Sequence, residues 1–149
     1  MRMIVLLILL FLPNISFSQS EKEIILIMKE YTVKTENLKS HKFIDEKLNP
    51  ALLQFQEMMC SGGSELLLDT FLEMLLNSTG SADEFRTYIF AEVFICKSDL
   101  VVNKILHKFK NKYLVQQLEF GLLNIELQKE EDLTYLKRKI VLLKRATNL

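Results

Sequence analysis

Residues 64–96, SELLLDTFLEMLLNSTGSADEFRTYIFAEVFIC, decide the fold. The first part, Glu65–Leu76, has helical spacing and only four polar side chains, most of them on one stripe. An Asn-Ser-Thr-Gly sequence then breaks this helix. Ser81 and Glu84 form a capping box that opens the next helix, which runs to about Cys96 and is equally poor in polar positions. We therefore expect these two helices to form the centre of a hydrophobic core.

Most of the remaining chain also has helical spacing. Apolar residues recur at i, i+3, i+4 and i+7 within residues 21–38. Asn49 and Pro50 are typical of a helix start, with Asn49 as the cap, and a shorter helix is expected after Ser98. Residues 113–146 carry two apolar seams without an intervening break, so one long helix and two helices both fit the pattern. We expect an all-α fold, a compact bundle of about six antiparallel helices.

The first 18 residues have the pattern of a secretory signal peptide. Arg2 provides a positive charge, and an unbroken apolar run follows from Ile4 to Leu12. Ser16 and Ser18 are small residues at the positions that a signal peptidase requires. The apolar run is much shorter than the roughly 20 residues that span a bilayer. We therefore expect cleavage after Ser18, secretion or export to the periplasm, and a single mature domain, residues 19–149, without a stable membrane anchor.

The two cysteines, Cys60 and Cys96, are expected to form a disulfide. Two cysteines in an exported protein are more often paired than free. If the helices between residues 50 and 96 alternate in direction, both cysteines fall at the same end of the bundle. A bond across that separation would stabilise the fold by about 4 kcal/mol in the chain-entropy model. The alternative is that both are buried as small apolar residues.

Composition and charge exclude some classes of function. The chain has 19 basic and 19 acidic residues, so it has no general attraction to nucleic acid. Its four glycines do not form a phosphate-binding loop. The charges are nevertheless uneven, because residues 57–92 hold seven acids and one arginine whereas residues 97–112 hold five lysines and one aspartate. These segments are either ordinary solvated helix faces or an acidic and a basic side that orient a partner.

The sequence contains no recognisable catalytic or metal-binding constellation. His41 and His107 stand apart, without the close spacing of metal ligands, so neither a metal nor another cofactor is expected. Ser64 follows two glycines, but the long apolar run after it favours a helix cap over a nucleophile. Asp69 and Glu73 form a carboxylate pair at helical spacing, which is usually solvated surface. We expect a protein without enzymatic activity.

Two binding functions remain for such a protein. The expected one is a protein-interaction module of an inhibitor, immunity-like or adaptor type. The alternative is a carrier of a lipid or other apolar ligand in a cavity between helices. The side chains that would line this cavity are methionines and phenylalanines: Met28, Met58, Met59, Met74, Phe55, Phe71, Phe85, Phe90 and Phe94.

Three further features have a structural interpretation. The basic segment 137–145 is interpreted as part of a helix docked on the core, although helices that lie on anionic membranes have a similar pattern. Gly121, inside a helical stretch, indicates close approach of two helices. Asn77 begins an Asn-Ser-Thr glycosylation sequon, which matters only in a eukaryotic source.

Cleavage and disulfide formation can be tested together by the intact mass of the exported protein, recovered without reduction. We expect the mass of residues 19–149, lower by two hydrogens, because an oxidising compartment favours the bond between Cys60 and Cys96. An uncleaved chain with two free thiols would contradict both expectations.

Overall fold

Six helices make up nearly all of the described chain. The computed structural model describes residues 19–33, 41–78, 84–123, 125 and 130–148, and these residues contain no strand. The helices are α1 (Glu21–Val33), α2 (Asn49–Ser61), α3 (Glu65–Asn77), α4 (Glu84–Lys104), α5 (Lys112–Leu123) and α6 (Glu130–Thr147). The predicted all-α bundle is confirmed. The expected signal peptide, residues 1–18, and the expected cap Ser81 lie outside the described residues.

The centre of the core lies where α2, α3 and α4 meet. Phe55, Phe71 and Phe90 each contribute one fully buried ring. The rings of Phe55 and Phe71 are stacked with their centroids 4.4 Å apart, and Phe90 meets Phe71 edge-on at 5.8 Å. Aromatic pairs in these arrangements add about 0.5–1.5 kcal/mol each beyond simple burial. The two apolar helices within residues 64–96 therefore occupy the centre, as their sequence predicts.

The prediction that Asn49 caps the start of α2 is wrong. A helical turn, His41–Phe43, and a π-helical segment, Ile44–Leu48, run directly into α2. Asn49 itself is helical, and its N–H donates to the carbonyl of Ile44, five residues earlier. Pro50 has no N–H and its ring crowds the carbonyl of a regular α-helical turn. The wider π turn before Pro50 is consistent with a helix that continues through the proline.

Helix α4 bends where two separate helices were predicted. Lys97 has non-helical angles, φ −135° and ψ 40°, between the expected helix end at Cys96 and the expected cap Ser98. The predicted break therefore falls at Lys97, where two helical stretches of α4 meet across a kink, and a second π-helical segment, Ile105–Phe109, extends the second stretch.

Two helices lie within residues 113–146. Of the two arrangements that the sequence allows, one long helix or two helices, the structure has the second. Helix α5 ends at Leu123 and α6 begins at Glu130. The apolar seam of α6 faces the core through three buried side chains, Leu136, Ile140 and Leu143. The interpretation of the basic segment as part of a docked helix is therefore confirmed.

Gly121 sets the distance between α4 and α5. A Cβ atom at this position would lie 2.1 Å from the carbonyl oxygen of Thr87 and 2.9 Å from Cβ of Ala91. Both distances are shorter than any stable non-bonded contact, and the first involves backbone that cannot rotate away. Glycine at this position therefore allows α5 to lie directly against α4, as the sequence predicts.

Replacing Gly121 by alanine is expected to destabilise the fold. The added methyl group must push α5 away from α4, and overpacking of this kind costs about 1–3 kcal/mol or more. The measurement is the free energy of unfolding in urea. Gln116→Ala, at an exposed position of the same helix, is the control and should change stability by less than about 0.5 kcal/mol. Equal stability of the Gly121→Ala variant and the native chain would contradict the close helix contact.

Candidate functional site

Cys60 and Cys96 lie at disulfide distance from each other. Their Sγ atoms are 2.03 Å apart and their Cα atoms 5.5 Å apart. Both residues are exposed, so the alternative of two buried apolar cysteines is wrong. The pair joins the end of α2 to α4 immediately before the bend at Lys97. Its position therefore suits a structural cross-link between two core helices.

Four charged side chains join α3 to the end of α4. Lys104 Nζ lies 2.8 Å from Glu65 Oε2 and 3.0 Å from Asp69 Oδ1. Lys108 Nζ lies 2.8 Å from Asp69 Oδ2. The side chains of Lys104 and Asp69 are almost completely buried, whereas Glu65 and Lys108 are open to solvent. The acidic and the basic segments of the sequence therefore partly neutralise each other where these helices meet.

The ion pairs keep Asp69 charged. Burial alone would raise the pKa of the Asp69 carboxyl, but hydrogen bonds and charge attraction from Lys108 and Lys104 outweigh burial and hold that pKa below its ordinary value. The hydrogen bond to Glu65 raises the pKa of the Lys104 ammonium against the opposite effect of burial. A general acid needs a raised carboxyl pKa. Asp69 therefore has the electrostatics of a structural ion pair, and Glu73, the other carboxylate of the predicted pair, is exposed.

The other candidate chemical groups have structural roles or stand alone. Ser64 caps α3, because its hydroxyl accepts a hydrogen bond from the N–H of Leu67, and it donates to the carboxylate of Glu21. His41 and His107 are both exposed. Across the parts of the chain that the structure describes, no three His, Cys, Asp or Glu side chains are grouped as metal ligands would be.

The methionines and phenylalanines proposed to line a cavity pack against one another. Met28, Met59 and Met74 are fully buried, as are the stacked phenylalanines of the core. Met58 and Phe85 are partly buried against the same cluster. These contacts are those of a filled core, so these residues give the carrier alternative no support.

Asn77 lies at the exposed end of α3. Its side-chain Nδ2 donates to the carbonyl of Glu73. The next residue, Ser78, is buried and donates to the carbonyl of Met74. Thr79, the third residue of the sequon, lies outside the described residues.

An open groove lies between α5 and α6. Its volume is about 530 Å³, and most of its walls are apolar, formed by Leu122 and Leu123 of α5 and by Leu136, Ile140 and Val141 of α6. Leu123 is 83% exposed, although leucine is normally among the buried residue types. We call these five residues the α5–α6 groove.

The apolar surface continues on both sides of the α5–α6 groove. Phe120, 41% exposed, and Leu123 line a depression on the α5 side. Val141 and Leu142, 47% and 50% exposed, line another on the outer face of α6. Leu123 and Val141 each border the groove as well as one of these depressions. The three depressions therefore form one continuous surface.

Positive charges lie along the α6 side of this apolar surface. Lys137, Arg138 and Arg145 line it, and no ion pair joins any of them to a carboxylate of the described residues. Lys144 is different, because its Nζ lies 2.7 Å from Glu119 Oε1 across the groove. The groove thus has a surplus of positive charge beside exposed leucine and valine side chains.

A second ion pair orients α6 on the bundle. Lys139 pairs with Asp99 of α4, and its ammonium also lies 4.6 Å from the centre of the Tyr135 ring. Burial tends to lower the pKa of Lys139, but the hydrogen bonds to Asp99 and Tyr135 outweigh it and raise the pKa. Lys139 therefore serves packing, whereas the cations beside the groove face solvent.

The sequence indicates part of this surface. The basic segment 137–145 is visible as a run of charge and Leu122 as a member of the apolar seam of α5, but Leu123 is not part of that seam. The apolar spacing of α5 was visible as a seam, yet spacing alone does not show that the next helix leaves part of that seam uncovered.

Comparisons with known proteins identify no relative. No protein-family model, curated protein or solved structure matches the chain. None of the helices in the described residues is long and apolar enough to cross a bilayer.

The ion-pair cluster makes stability depend on pH. A carboxyl whose pKa is lowered by folding stabilises the folded state at pH values above its ordinary pKa, and this stabilisation is lost as pH falls through the lowered pKa. Asp69→Asn should therefore cost about 1–3 kcal/mol at neutral pH, because Lys104 loses a charged partner in a nearly buried position. The cost should shrink as pH falls below the ordinary pKa of aspartate, because the unfolded native chain then takes up a proton more readily than the folded one and the stabilisation by the Asp69 charge declines.

The measurement is urea unfolding of the native chain and the variant at about pH 7 and about pH 3. Glu73→Gln, at an exposed position of the same helix, is the matched control and should have little effect at either pH. An equal loss for Asp69→Asn at both pH values would show that the charge of Asp69 does not stabilise the fold.

Proposed function

We propose that this chain is an exported, non-catalytic protein that acts by binding another protein. The observation that carries this proposal is the continuous apolar surface around the α5–α6 groove, beside cations that form no ion pair with a carboxylate of the described residues. The export part rests on the signal-peptide pattern of residues 1–18 and on the cysteine pair.

Exposed apolar side chains are unfavourable in water unless something covers them. Soluble proteins carry scattered exposed leucines, but a continuous apolar patch rimmed by polar groups is typical of an interaction site. Leu123, Val141 and Leu142 are close enough to border adjoining depressions. A partner that covers them would gain roughly 25 cal/mol for each Å² of apolar surface removed from water.

The proposal of binding without catalysis is supported by the roles of the polar groups. Asp69 and Lys104 stabilise contacts between helices, and Ser64 caps a helix. The lining of the α5–α6 groove contains leucine, isoleucine and valine, with the Glu119–Lys144 ion pair and Lys137. An inhibitor, immunity-like or adaptor protein needs no more than such a surface.

Polar substitutions in the groove region should abolish partner binding without unfolding the protein. Leu123→Ser combined with Leu142→Ser removes two exposed apolar contacts, and truncation of interface anchors commonly costs 1 to 2 kcal/mol or more, about a tenfold loss of affinity. The matched control is Leu26→Ser combined with Leu66→Ser, since these leucines are 64% and 59% exposed on α1 and α3.

The measurement compares proteins retained by the immobilised native chain and by both double variants, using the exported fraction of the source cells and quantitative mass spectrometry. We expect at least one protein that the Leu123→Ser, Leu142→Ser variant retains less than the native chain does, and that the Leu26→Ser, Leu66→Ser control retains to the same extent. Equal retention of every bound protein by the two variants would contradict the assignment of the groove.

A further inference from the structure

We infer that the α5–α6 groove binds an acidic amphipathic helix of the protein partner. This inference rests on the proposed function and specifies the chemistry of the partner. It is carried by three properties of the groove: its shape, its apolar lining and the sign of the surrounding charge.

The shape of the groove suits a helix. Its walls are two helices, α5 and α6, and it follows α6 from Leu136 to Lys144. That distance is about 12 Å at 1.5 Å per residue, which is slightly more than two helical turns. An amphipathic helix placed in such a groove buries apolar residues at i, i+3, i+4 and i+7. Two to three turns of a partner helix would therefore match the length of the apolar lining.

The charges around the groove select an acidic partner. Lys144 is already paired with Glu119. Lys137, Arg138 and Arg145 have no ion pair with a described carboxylate; Lys137 lines the groove itself, and all three line the adjoining depression on the outer face of α6. Carboxylates on the flank of a docked helix that faces α6 would meet these three cations while its apolar stripe contacts Leu123 and Val141. Lysines on the same flank would be repelled.

A second copy of this chain is a poorer occupant. A two-fold symmetric contact places the same surface of both copies together. The cations near the groove, Lys137, Arg138 and Arg145, would then face their own counterparts, which opposes association. These cations would also attract an anionic bilayer. A planar bilayer surface, however, contacts the outer face of α6 more readily than it enters the concave groove that contains Leu122 and Ile140.

The test uses a phage-displayed library of helical peptides. Leucine is fixed at the i, i+3, i+4 and i+7 positions, and the flanking positions vary among Glu, Lys, Gln and Ala. The library is selected on three proteins, the first of which is the native mature chain. The second is the charge-reversal variant, in which Lys137→Glu is combined with Arg138→Glu. The third is a charge-matched control, in which Lys22→Glu is combined with Lys29→Glu. Lys22 and Lys29 are exposed on α1.

We expect the native chain and the control to enrich peptides with Glu over peptides with Lys on the flanks by about tenfold. The charge-reversal variant should lose or reverse this preference. A selected peptide should also bind more weakly as salt is raised, because salt screens exposed charges. No enrichment of Glu, or the same enrichment on all three proteins, would overturn the inference. The native chain could instead bind vesicles that contain phosphatidylglycerol and enrich no peptide. If the charge-reversal variant then loses this vesicle binding, the inference is overturned in favour of a membrane surface.

Failure of this inference is distinguishable from failure of the proposed function. If the Leu123→Ser, Leu142→Ser variant loses a native partner while the library shows no acidic preference, the groove binds a protein of a different kind. If the Leu123→Ser, Leu142→Ser variant retains every partner, the groove is not the binding surface, and both proposals are contradicted.

Discussion

The close contact between α4 and α5 is the constraint on which the other features depend. It exists because Gly121 has no side chain to collide with the carbonyl of Thr87. With α5 held against α4 in this way, Leu122 and Leu123 are fixed at the end of α5. Helix α6 then packs beside them through its own buried seam and its ion pair with Asp99. The groove is the space that this arrangement leaves between α5 and α6.

Electrostatics acts differently on two sides of the molecule. Between α3 and the end of α4, Asp69 and Lys104 neutralise each other in a nearly buried position and stabilise a helix contact. Along α6, Lys139 and Lys144 are engaged with Asp99 and Glu119. The remaining cations of α6 stand beside exposed apolar side chains. A formal net charge of zero for the whole chain therefore hides a local surplus of positive charge.

Much of the fold follows from residues 64–96, because a helix with few polar positions must be buried on most sides. The ends of the predicted helices also bring Cys60 and Cys96 together, since their relative position depends on helix lengths that the sequence shows. The helix start at Asn49 was predicted incorrectly. Local residue types favour a cap there, but the chain before it stays helical and uses a π turn to accommodate Pro50.

The candidate site was less accessible from the sequence. The pairing of Asp69 with Lys104 and Lys108 depends on which helices meet, and residues 35 to 39 positions apart carry no local signal of their contact. The exposure of Leu123 and Leu142 also depends on what covers them. Periodicity shows that such residues belong to an apolar face, but not whether the bundle has enough helices to bury all of it.

We propose that the α5–α6 groove contacts another protein, in the compartment to which the signal-peptide pattern of residues 1–18 would direct the chain. The most direct measurement is photo-crosslinking in the producing cells, with a photoreactive phenylalanine analogue at Leu123 in one protein and at Leu66 in another. Both positions are exposed, Leu123 by 83% and Leu66 by 59%, so a photoreactive side chain at either position reaches solvent. The structure predicts a discrete crosslinked protein from Leu123 that is absent from Leu66. Identical crosslinks from the two positions, or none from Leu123, would contradict the claim.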